Sequence, residues 1–406
     1  MPRSGGWGAM TRIAITGIGV IAPGAIGVEA FSDLLDRGQT AATKIDRFDT
    51  GGLTAHSAAV VRDFVPRDFI APMKLRRMNN LSRFGVASAR LAMNDRGSEL
   101  TTAAGVAMGS AFGPVQTSVD YMQEYVEKGA ALAPPQLFAE SVANAPGSHV
   151  GIEFGLRGFN ITVTQRESSA LAALMYACSQ IAKGVLPAAI VGGVDEVSEI
   201  VFAVLDRVGA LAHQNGGIDE CARPFDRRRN GMVVGEGGAV LIAEASPRKQ
   251  PYAFVSGFGI ARDTTATISD WGSGVDAVAN AMRAAVEDSE LSLHNIDAIY
   301  SSANATKSAD QLESRAIQSL FREVPPVVAT KGCFGEYAAG GALQLIAASL
   351  ALRDQRLHAS AGFSEHDDAM ISPTRAQSRR ELRHILVNSV SAGGGIVCAV
   401  LSREAS

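Results

Sequence analysis

Two segments of the chain have a layout in which enzymes often place a nucleophile: a strand enters a turn of small residues and continues into a long helix. The first segment, TVTQRESSALAAL, brings Glu167 to the turn, and the second, ATKGCFGEYAAGGALQL, brings Lys331, Cys333 and Glu336. The helix dipole lowers the pKa of a cysteine at such a turn, whereas a glutamate there only complements the dipole. Because Cys333 has no histidine partner in its segment, we predict that it is a buried packing residue.

Another group of small residues resembles a nucleotide-binding fingerprint. Gly17, Gly19 and Ala22 follow a strand with the spacing G-x-G-x-x-A, and Asp36 lies near the distance expected of a ribose-binding acid. However, Pro23 stands where the pyrophosphate-binding helix would run, and Asp36 falls in the helical pattern AFSDLLDRG. We therefore predict a structural strand-to-loop turn here, and the sequence indicates no cofactor.

The composition narrows the classes of function. With 406 residues, 47% of them hydrophobic and 19% charged, the chain can bury a large core and is not disordered. A net charge of −4 gives no electrostatic attraction for nucleic acid or for an anionic membrane. Four cysteines lie far apart without a C-x-x-C pair, which argues against a disulfide or metal site and favours the cytoplasm. No apolar run reaches the roughly 18 residues of a membrane helix.

Short β-branched runs alternate with alanine-rich helical patterns, which predicts an α/β fold with a mostly parallel sheet. The predicted strands are 12–16, 104–108, 161–164, 188–191, 239–243, 252–258, 298–301, 327–329, 384–388 and 396–401. The clearest predicted helices are 169–183, 273–288, 308–321 and 338–353. Because the strand–turn–helix layout occurs twice, we expect two related halves.

The polar, proline-containing stretch EASPRKQP suggests where these halves meet. We predict an N-terminal half at residues 10–248 and a C-terminal half at residues 249–406. Met10 directly precedes the first strand, so residues 1–9 are interpreted as a leader or an added remnant.

Six blocks now identify a resemblance that runs through nearly the whole chain from Met10. They are ITGIGVIAPG, GFNITVTQRESSALAAL, AAIVGGVDE, RPFDRRRNGMVVGEGGAVLI, TKGCFGEYAAGGALQLIAASLALRDQ and NSVSAGGG. In this order they resemble the β-ketoacyl synthases, condensing enzymes of the thiolase fold. The resemblance implies a thiolase-like, five-layered α-β-α-β-α architecture made of two related halves, in a protein that forms dimers.

The chain departs from that family at the positions that do the chemistry. Matched to the family's motifs, Glu167 replaces the nucleophilic cysteine, while Ser302 and Glu336 replace the two catalytic histidines. The family's lysine is retained as Lys331, and Ala392 replaces the phenylalanine gate. Condensation needs a covalent acyl thioester and donors for the enolate oxygen, so the degenerate positions imply that no catalytic residue remains.

An intact scaffold without its nucleophile resembles the chain-length factor of type II polyketide synthases. The implied function is a non-catalytic subunit that pairs with a Cys-His-His ketosynthase, shapes the acyl tunnel and sets chain length. An acyl carrier protein would be the second partner. The RPFDRRRNG block stays close to ordinary ketosynthases and favours a highly reducing, polyene-forming system. The alternatives are an aromatic polyketide chain-length factor, a diverged self-sufficient synthase or malonyl decarboxylase, and a homodimeric acyl-binding protein.

The resemblance also assigns the tunnel and predicts an ion pair. In chain-length factors a helix matching residues 112–121 lines the tunnel, so Pro114, Thr117 and Tyr121 are expected to share one helix face, with Tyr121 as a plug. The usual glutamate partner of Lys331 is replaced by Gln344, and a buried unpaired lysine is costly. We therefore predict that Glu336 or Glu167 pairs with Lys331. The basic run Arg227–Arg229 is either a carrier-protein landing patch or a structural part of its block.

Overall fold

The computed structural model describes residues 12–217 and 219–404. The predicted leader at residues 1–9 lies outside them. The strands of its large sheet are β1 (Ile13–Ala22), β2 (Gly105–Gly109), β3 (Asn160–Val163), β4 (Ala188–Asp195), β5 (Gly237–Glu244), β6 (Ala253–Arg262), β7 (Ala298–Tyr300), β8 (Val327–Val328), β9 (His384–Val390) and β10 (Gly395–Ser402), with a two-residue strand, Ala25–Ile26, paired to β1.

The helices surround and separate these strands. They are α1 (Val28–Arg37), α2 (Asn80–Arg96), α3 (Val115–Lys128), α4 (Pro135–Glu140), α5 (Ala145–Glu153), α6 (Ser169–Ala182), α7 (Glu199–Arg207), α8 (Val275–Asp288), α9 (Lys307–Leu320), α10 (Lys331–Phe334) and α11 (Ala338–Asp354). Minor elements are the helix Pro72–Leu75, 3-10 turns at Pro66–Asp68, Arg166–Ser168 and Leu293–Asn295, and the two-residue strand pairs Thr43–Lys44 with Ser57–Ala58 and Arg356–Leu357 with Ser378–Arg379.

The two halves of the sheet repeat one topology. The order is β8-β7-β9-β10-β6-β1-β5-β4-β2-β3, so each half, numbered from its own first strand, reads 3-2-4-5-1 from the sheet edge inward. The prediction of two related halves is confirmed. The finer boundary between residues 248 and 249 stays a prediction.

The prediction of a mostly parallel sheet is wrong. The three outermost strands of each half are parallel to one another, but every pairing nearer the centre, from β4–β5 through β1–β6 to β10–β9, is antiparallel. In each half, the fifth strand lies between the fourth strand and the first and is antiparallel to both of them.

Helices and sheet halves stack in five layers, as the fold class predicts. Helices α6 and α11 lie at the centre, in one hydrophobic cluster with residues from both halves of the sheet. Helices α2 and α5 cover the outer face of the first half, and α8 and α9 cover that of the second. Residues 338–352 of α11 are all buried, which explains its apolar sequence on every side.

The glycines that resemble a nucleotide fingerprint lie inside β1, not in a strand-to-loop turn as predicted. A Cβ atom at Gly17 would lie 2.5 Å from the carbonyl oxygen of Ala92, and one at Gly19 would lie 1.8 Å from that of Ser88. These glycines therefore allow helix α2 to approach the strand. Asp36 lies in α1 and pairs with Arg356 at 2.7 Å, so the fingerprint has a structural explanation.

Candidate functional site

Glu167 lies in the tight 3-10 turn that joins β3 to α6. Its neighbour Arg166 has a φ of 50°, a left-handed conformation that side chains other than glycine rarely adopt. The turn is fixed by Ser169, whose hydroxyl accepts from the backbone N–H of Gln165 at 2.8 Å and donates to the carbonyl of Arg166 at 2.6 Å. The fold therefore places residue 167 at the bend between strand and helix, as the sequence predicts.

The Glu167 side chain is 3% exposed and is held by the loop that contains the gate position. The backbone N–H of Ala392 donates to Glu167 Oε2 at 3.1 Å. The nearest cation atom, Arg166 Nη2, lies 3.5 Å from Oε1, which is long for a charge-assisted bond. Ala392 is itself buried, and its methyl group leaves no large side chain at the gate.

Glu336 forms the predicted ion pair with Lys331. Lys331 Nζ lies 2.6 Å from Glu336 Oε2, and Asn304 Nδ2 donates to the same oxygen at 3.0 Å. Burial raises the pKa of Glu336 to about 7; the nearby Glu167 raises it too, and Lys331 opposes both. Within the described part of the chain, Glu336 Oε1 has no hydrogen-bond partner.

Ser302 also contacts Lys331 and takes part in a network of buried hydrogen bonds. Its hydroxyl accepts from the Val390 N–H at 2.9 Å and from Lys331 Nζ at 3.4 Å. Its own N–H donates to Glu313 Oε1 at 2.9 Å, and Asn388 Nδ2 donates to the same carboxylate oxygen at 2.8 Å. Burial raises the pKa of Glu313 to about 7.

Within the described residues, Gln344 forms no hydrogen bond with Lys331. Its amide nitrogen donates to three backbone carbonyls, those of Tyr300 and Ser301 at 2.7 Å and that of Asn388 at 2.9 Å. The residue on helix α11 therefore ties three segments together, and Glu336 supplies the charge that neutralises the lysine. The structure brings together the four residues that the sequence predicts for this site, which are Glu167, Ser302, Lys331 and Glu336. It adds two residues that were not predicted, Asn304 and Arg166.

The predicted tunnel residues do not all share a helix face. Pro114 lies at the N-cap, because α3 begins only at Val115, so only Thr117 and Tyr121 are helical. Thr117 is buried. Tyr121 is half-buried against the rings of Phe138 on α4, at 5.6 Å between centroids, and of Tyr125, at 6.4 Å.

An apolar groove of about 320 Å³ lies between the start of α3 and helix α7. Its lining includes Phe112, Val115 and Arg166 but none of the three predicted tunnel residues. Sequence reasoning missed this groove because α7 and the loop near Trp271 are far apart in the chain. The available signal was Arg166 itself, a long cation beside the nucleophile position where the family's motif has alanine.

The remaining candidates are Cys333 and the basic run Arg227–Arg229. Cys333 is fully buried, and burial raises its pKa to about 12, whereas an activated thiolate needs a lowered pKa. In the basic run, Arg227 pairs with Glu365 at 2.9 Å and Arg229 pairs with Asp367 at 3.0 Å, so much of its charge is neutralised within the chain.

No group of three or more metal-binding side chains occurs in residues 12–217 and 219–404. Over the same residues, no helix is both long and apolar enough to cross a bilayer.

Two family profiles match consecutive parts of the chain, one in each half of the sheet. The profile for the β-ketoacyl synthase N-terminal domain matches residues 10–248, and that for the C-terminal domain matches residues 252–364. The chain belongs to the β-ketoacyl synthase family. Among β-ketoacyl synthases, a polyketide β-ketoacyl synthase 1 of Streptomyces cyaneus is 32% identical over 96% of this chain and 97% of the relative.

Two further similar proteins are also ketosynthase or chain-length-factor proteins. The tetracenomycin polyketide synthase ketoacyl synthase alpha subunit of Streptomyces glaucescens is 30% identical over 97% of this chain and 98% of its own length. The solved structure of the ishigamide ketosynthase/chain length factor superposes with a TM-score of 0.89 at 27% identity, over 98% of this chain and all of that one. This member of the β-ketoacyl synthase family is thus similar to type II polyketide ketosynthases and chain-length factors, and it has the thiolase-like fold.

Proposed function

We propose that this chain is the non-catalytic chain-length factor of a type II polyketide synthase. It would pair with a Cys-His-His ketosynthase, receive chains delivered by an acyl carrier protein and limit their length. The observation that carries the proposal is the carboxylate of Glu167 at the nucleophile position, with the Ala392 N–H donated to it at 3.1 Å.

A carboxylate at this position cannot replace the thiolate. Attack by Glu167 on a thioester would produce a mixed anhydride, which is a more reactive acyl donor than the thioester consumed, so the acyl chain would return to its carrier. The Ala392 N–H is also engaged by the carboxylate and is not free to stabilise a developing oxyanion. Both effects act against acyl transfer to this subunit.

The two former histidine positions offer no replacement for neutral imidazole donors. Glu336 accepts from Lys331 and Asn304, and the hydroxyl of Ser302 is occupied by the Val390 N–H and by its own donation to the Val390 carbonyl at 3.3 Å. An enolate generated from malonyl-carrier protein would meet a carboxylate that accepts hydrogen bonds and an already engaged hydroxyl, where it needs free hydrogen-bond donors. This supports the chain-length factor over a self-sufficient synthase or decarboxylase.

The test is acyl transfer to the purified chain in the absence of any ketosynthase. We would incubate wild type, Glu167→Gln and Glu167→Cys with octanoyl-carrier protein and measure intact masses. Wild type and the Gln control should stay unmodified, while the Cys variant should gain one octanoyl group because its thiol lies at the N-terminus of α6. An acyl adduct on wild type, formed as fast as on the ketosynthase complex, would refute the proposal.

The product class is a finer part of the proposal. The RPFDRRRNG block supports a highly reducing system over an aromatic one. Reconstitution with the partner ketosynthase, a ketoreductase and a dehydratase, followed by mass measurement of carrier-bound products, distinguishes them: a polyene chain loses one water per elongation, and an aromatic precursor keeps its ketones.

A further inference from the structure

Helices α3 and α4 and the residues around them form an arm, residues 115–141, that buries few of its side chains. Helix α3 buries only Thr117, and α4 buries only Glu140. The exposed apolar side chains of the arm are Val119, Met122, Tyr125, Val126, Leu132 and Phe138. Burial of apolar surface therefore contributes little to holding the arm in place, and its polar contacts matter more.

The carboxylate of Glu140 joins this arm to the N-terminus of helix α2. Its Oε2 atom accepts from the backbone N–H of Asn79 at 3.0 Å and from the hydroxyl of Ser82 at 3.3 Å. Asn79 caps α2 by accepting from the Ser82 N–H at 2.7 Å, and its amide nitrogen donates to the Glu140 carbonyl at 2.7 Å. Because the helix dipole favours an anion at this end, Glu140 is held by its charge as well as by hydrogen bonds.

The other carboxylate oxygen of Glu140 joins the arm to helix α5. His149 Nε2 lies 2.6 Å from Glu140 Oε1. Since an ionised carboxylate can only accept, this nitrogen carries a proton whether the ring is neutral or charged. Burial raises the pKa of Glu140, but its contacts with His149, Asn79 and Ser82 lower the pKa by more, which keeps the carboxylate ionised. The one buried residue of α4 thus contacts two helices of the first half.

We propose that Glu140 is the residue that positions the arm, and with it Tyr121, against helices α2 and α5. Tyr121 packs on Phe138 of α4, at 5.6 Å between ring centroids, so a shift of α4 also moves Tyr121. A second side-chain bond from α4, Gln136 Nε2 to the Arg77 carbonyl at 3.0 Å, is exposed and uncharged, and such bonds are weaker than those of a charged group. Where Tyr121 limits chain length, which rests on the proposed function, Glu140 is a specificity-determining residue.

Hydrogen exchange of the full-length chain, measured by mass spectrometry, tests this positioning. Glu140→Leu removes every acceptor and should speed exchange of the arm amides about 10- to 100-fold, as the loss of charge-assisted hydrogen bonds implies, without a comparable change in α6 and α11. Glu140→Gln keeps one acceptor oxygen and should restore part of the protection. The control is Glu153→Gln on α5, which should leave exchange of the arm unchanged. The Glu153 side chain is 8% exposed, as is that of Glu140, and it pairs with Lys74 and Arg90.

Asn79→Asp tests the same contact without changing Glu140. An aspartate keeps the oxygen that caps α2, but it removes the donor to the Glu140 carbonyl and adds a like charge beside the carboxylate, so the arm amides should again exchange faster. Unchanged exchange of the arm in whichever of Glu140→Leu and Asn79→Asp folds would overturn the proposal. Faster exchange spread equally over the arm, α6 and α11 would overturn it as well.

Product lengths of the reconstituted complex separate this inference from the proposed function. Glu140→Leu should lengthen the product in the same direction as Tyr121→Ala, because a loosened arm opens the same space. If exchange shows a loosened arm and both variants leave the lengths unchanged, the tunnel role of the arm is refuted but its positioning by Glu140 is not. A longer product for Tyr121→Ala alone would contradict the specificity role of Glu140.

Discussion

Replacing Glu336 by glutamine should destabilise the protein by about 3–5 kcal/mol, the usual cost of removing one partner of a buried ion pair. Lys331 is 1% exposed, and its other hydrogen bond in the described structure is to the Ser302 hydroxyl at 3.4 Å, so the variant removes the one carboxylate that is paired with this buried side chain. For a 406-residue chain the unfolding entropy at the midpoint is about 0.85 kcal/mol per kelvin, so Tm should fall by about 4–6 °C.

The reciprocal variant, Lys331→Met, should depend on pH. Burial already raises the pKa of Glu336 to about 7, and loss of the lysine raises it further, so the carboxyl can become neutral in the folded state. A carboxyl group whose pKa is higher in the folded than in the unfolded protein stabilises the fold at pH values below its unfolded pKa. This stabilisation is lost as the pH rises through the folded pKa. The penalty should therefore be small at pH 6 and larger at pH 8.

Replacing both Lys331 and Glu336 tests whether the cost of each single variant comes from the unpaired charge that it leaves behind. Lys331→Met/Glu336→Met should be at least as stable at pH 8 as either single variant, because an apolar pair avoids the desolvation of two charges. The assay is thermal unfolding followed by circular dichroism at pH 6 and pH 8, with Lys128→Met, which removes an exposed i,i+4 pair with Glu124, as a control that leaves Tm unchanged. A Tm for Glu336→Gln within 1 °C of wild type would refute the reasoning.

Three other changes test the fold and the proposed role. Burial raises the pKa of Glu313 to about 7, so the stability that its protonation contributes is present below about pH 4.5 and is lost as pH rises through 7; Glu313→Gln should flatten the decline of Tm between pH 5 and 8 in thermal melts. Gly19→Ala would place a Cβ atom 1.8 Å from the Ser88 carbonyl oxygen and should cost about 1–3 kcal/mol in urea unfolding, whereas Gly52→Ala, with no atom within 4 Å, should be neutral. If Tyr121 closes the tunnel, Tyr121→Ala should lengthen the product by one or more two-carbon units and Tyr121→Trp should shorten it, as measured by mass spectrometry of the reconstituted complex; unchanged lengths in both, or an equal effect of Tyr125→Ala, would place the tunnel floor elsewhere.

The local pattern of the sequence predicted the elements well and their pairing poorly. Every predicted strand has an observed counterpart, because the β-branched runs and the alanine-rich helices alternate clearly. Strand β1 was predicted to end at residue 16 but continues to Ala22, since its glycines pack against helix α2 instead of forming a turn. Strand direction depends on which strands become neighbours after the halves assemble, and periodicity carries no such information.

For the site, too, local motifs could be predicted from the sequence and contacts between distant segments could not. Glu167, Ser302, Lys331 and Glu336 could be located because they fill positions in ordered motifs. The contact of Asn304 with Glu336 and the groove beside Arg166 could not, because they join segments that are remote in the chain. The choice between Glu336 and Glu167 as partner of Lys331 also required the folded structure, which gives it to Glu336 at 2.6 Å.

The shared central layer has a consequence for synthesis on the ribosome. The first half contains all five of its strands once Glu244 has been made, yet helix α6 finishes its packing only when α11 is complete at Asp354. At roughly 5–20 residues per second, the 110 residues between 244 and 354 take about 6–22 s to translate. During that interval the apolar surface of α6 that α11 will cover stays open on the nascent chain. We therefore expect slower translation to favour aggregation, and chaperones that shield nascent chains to raise the yield.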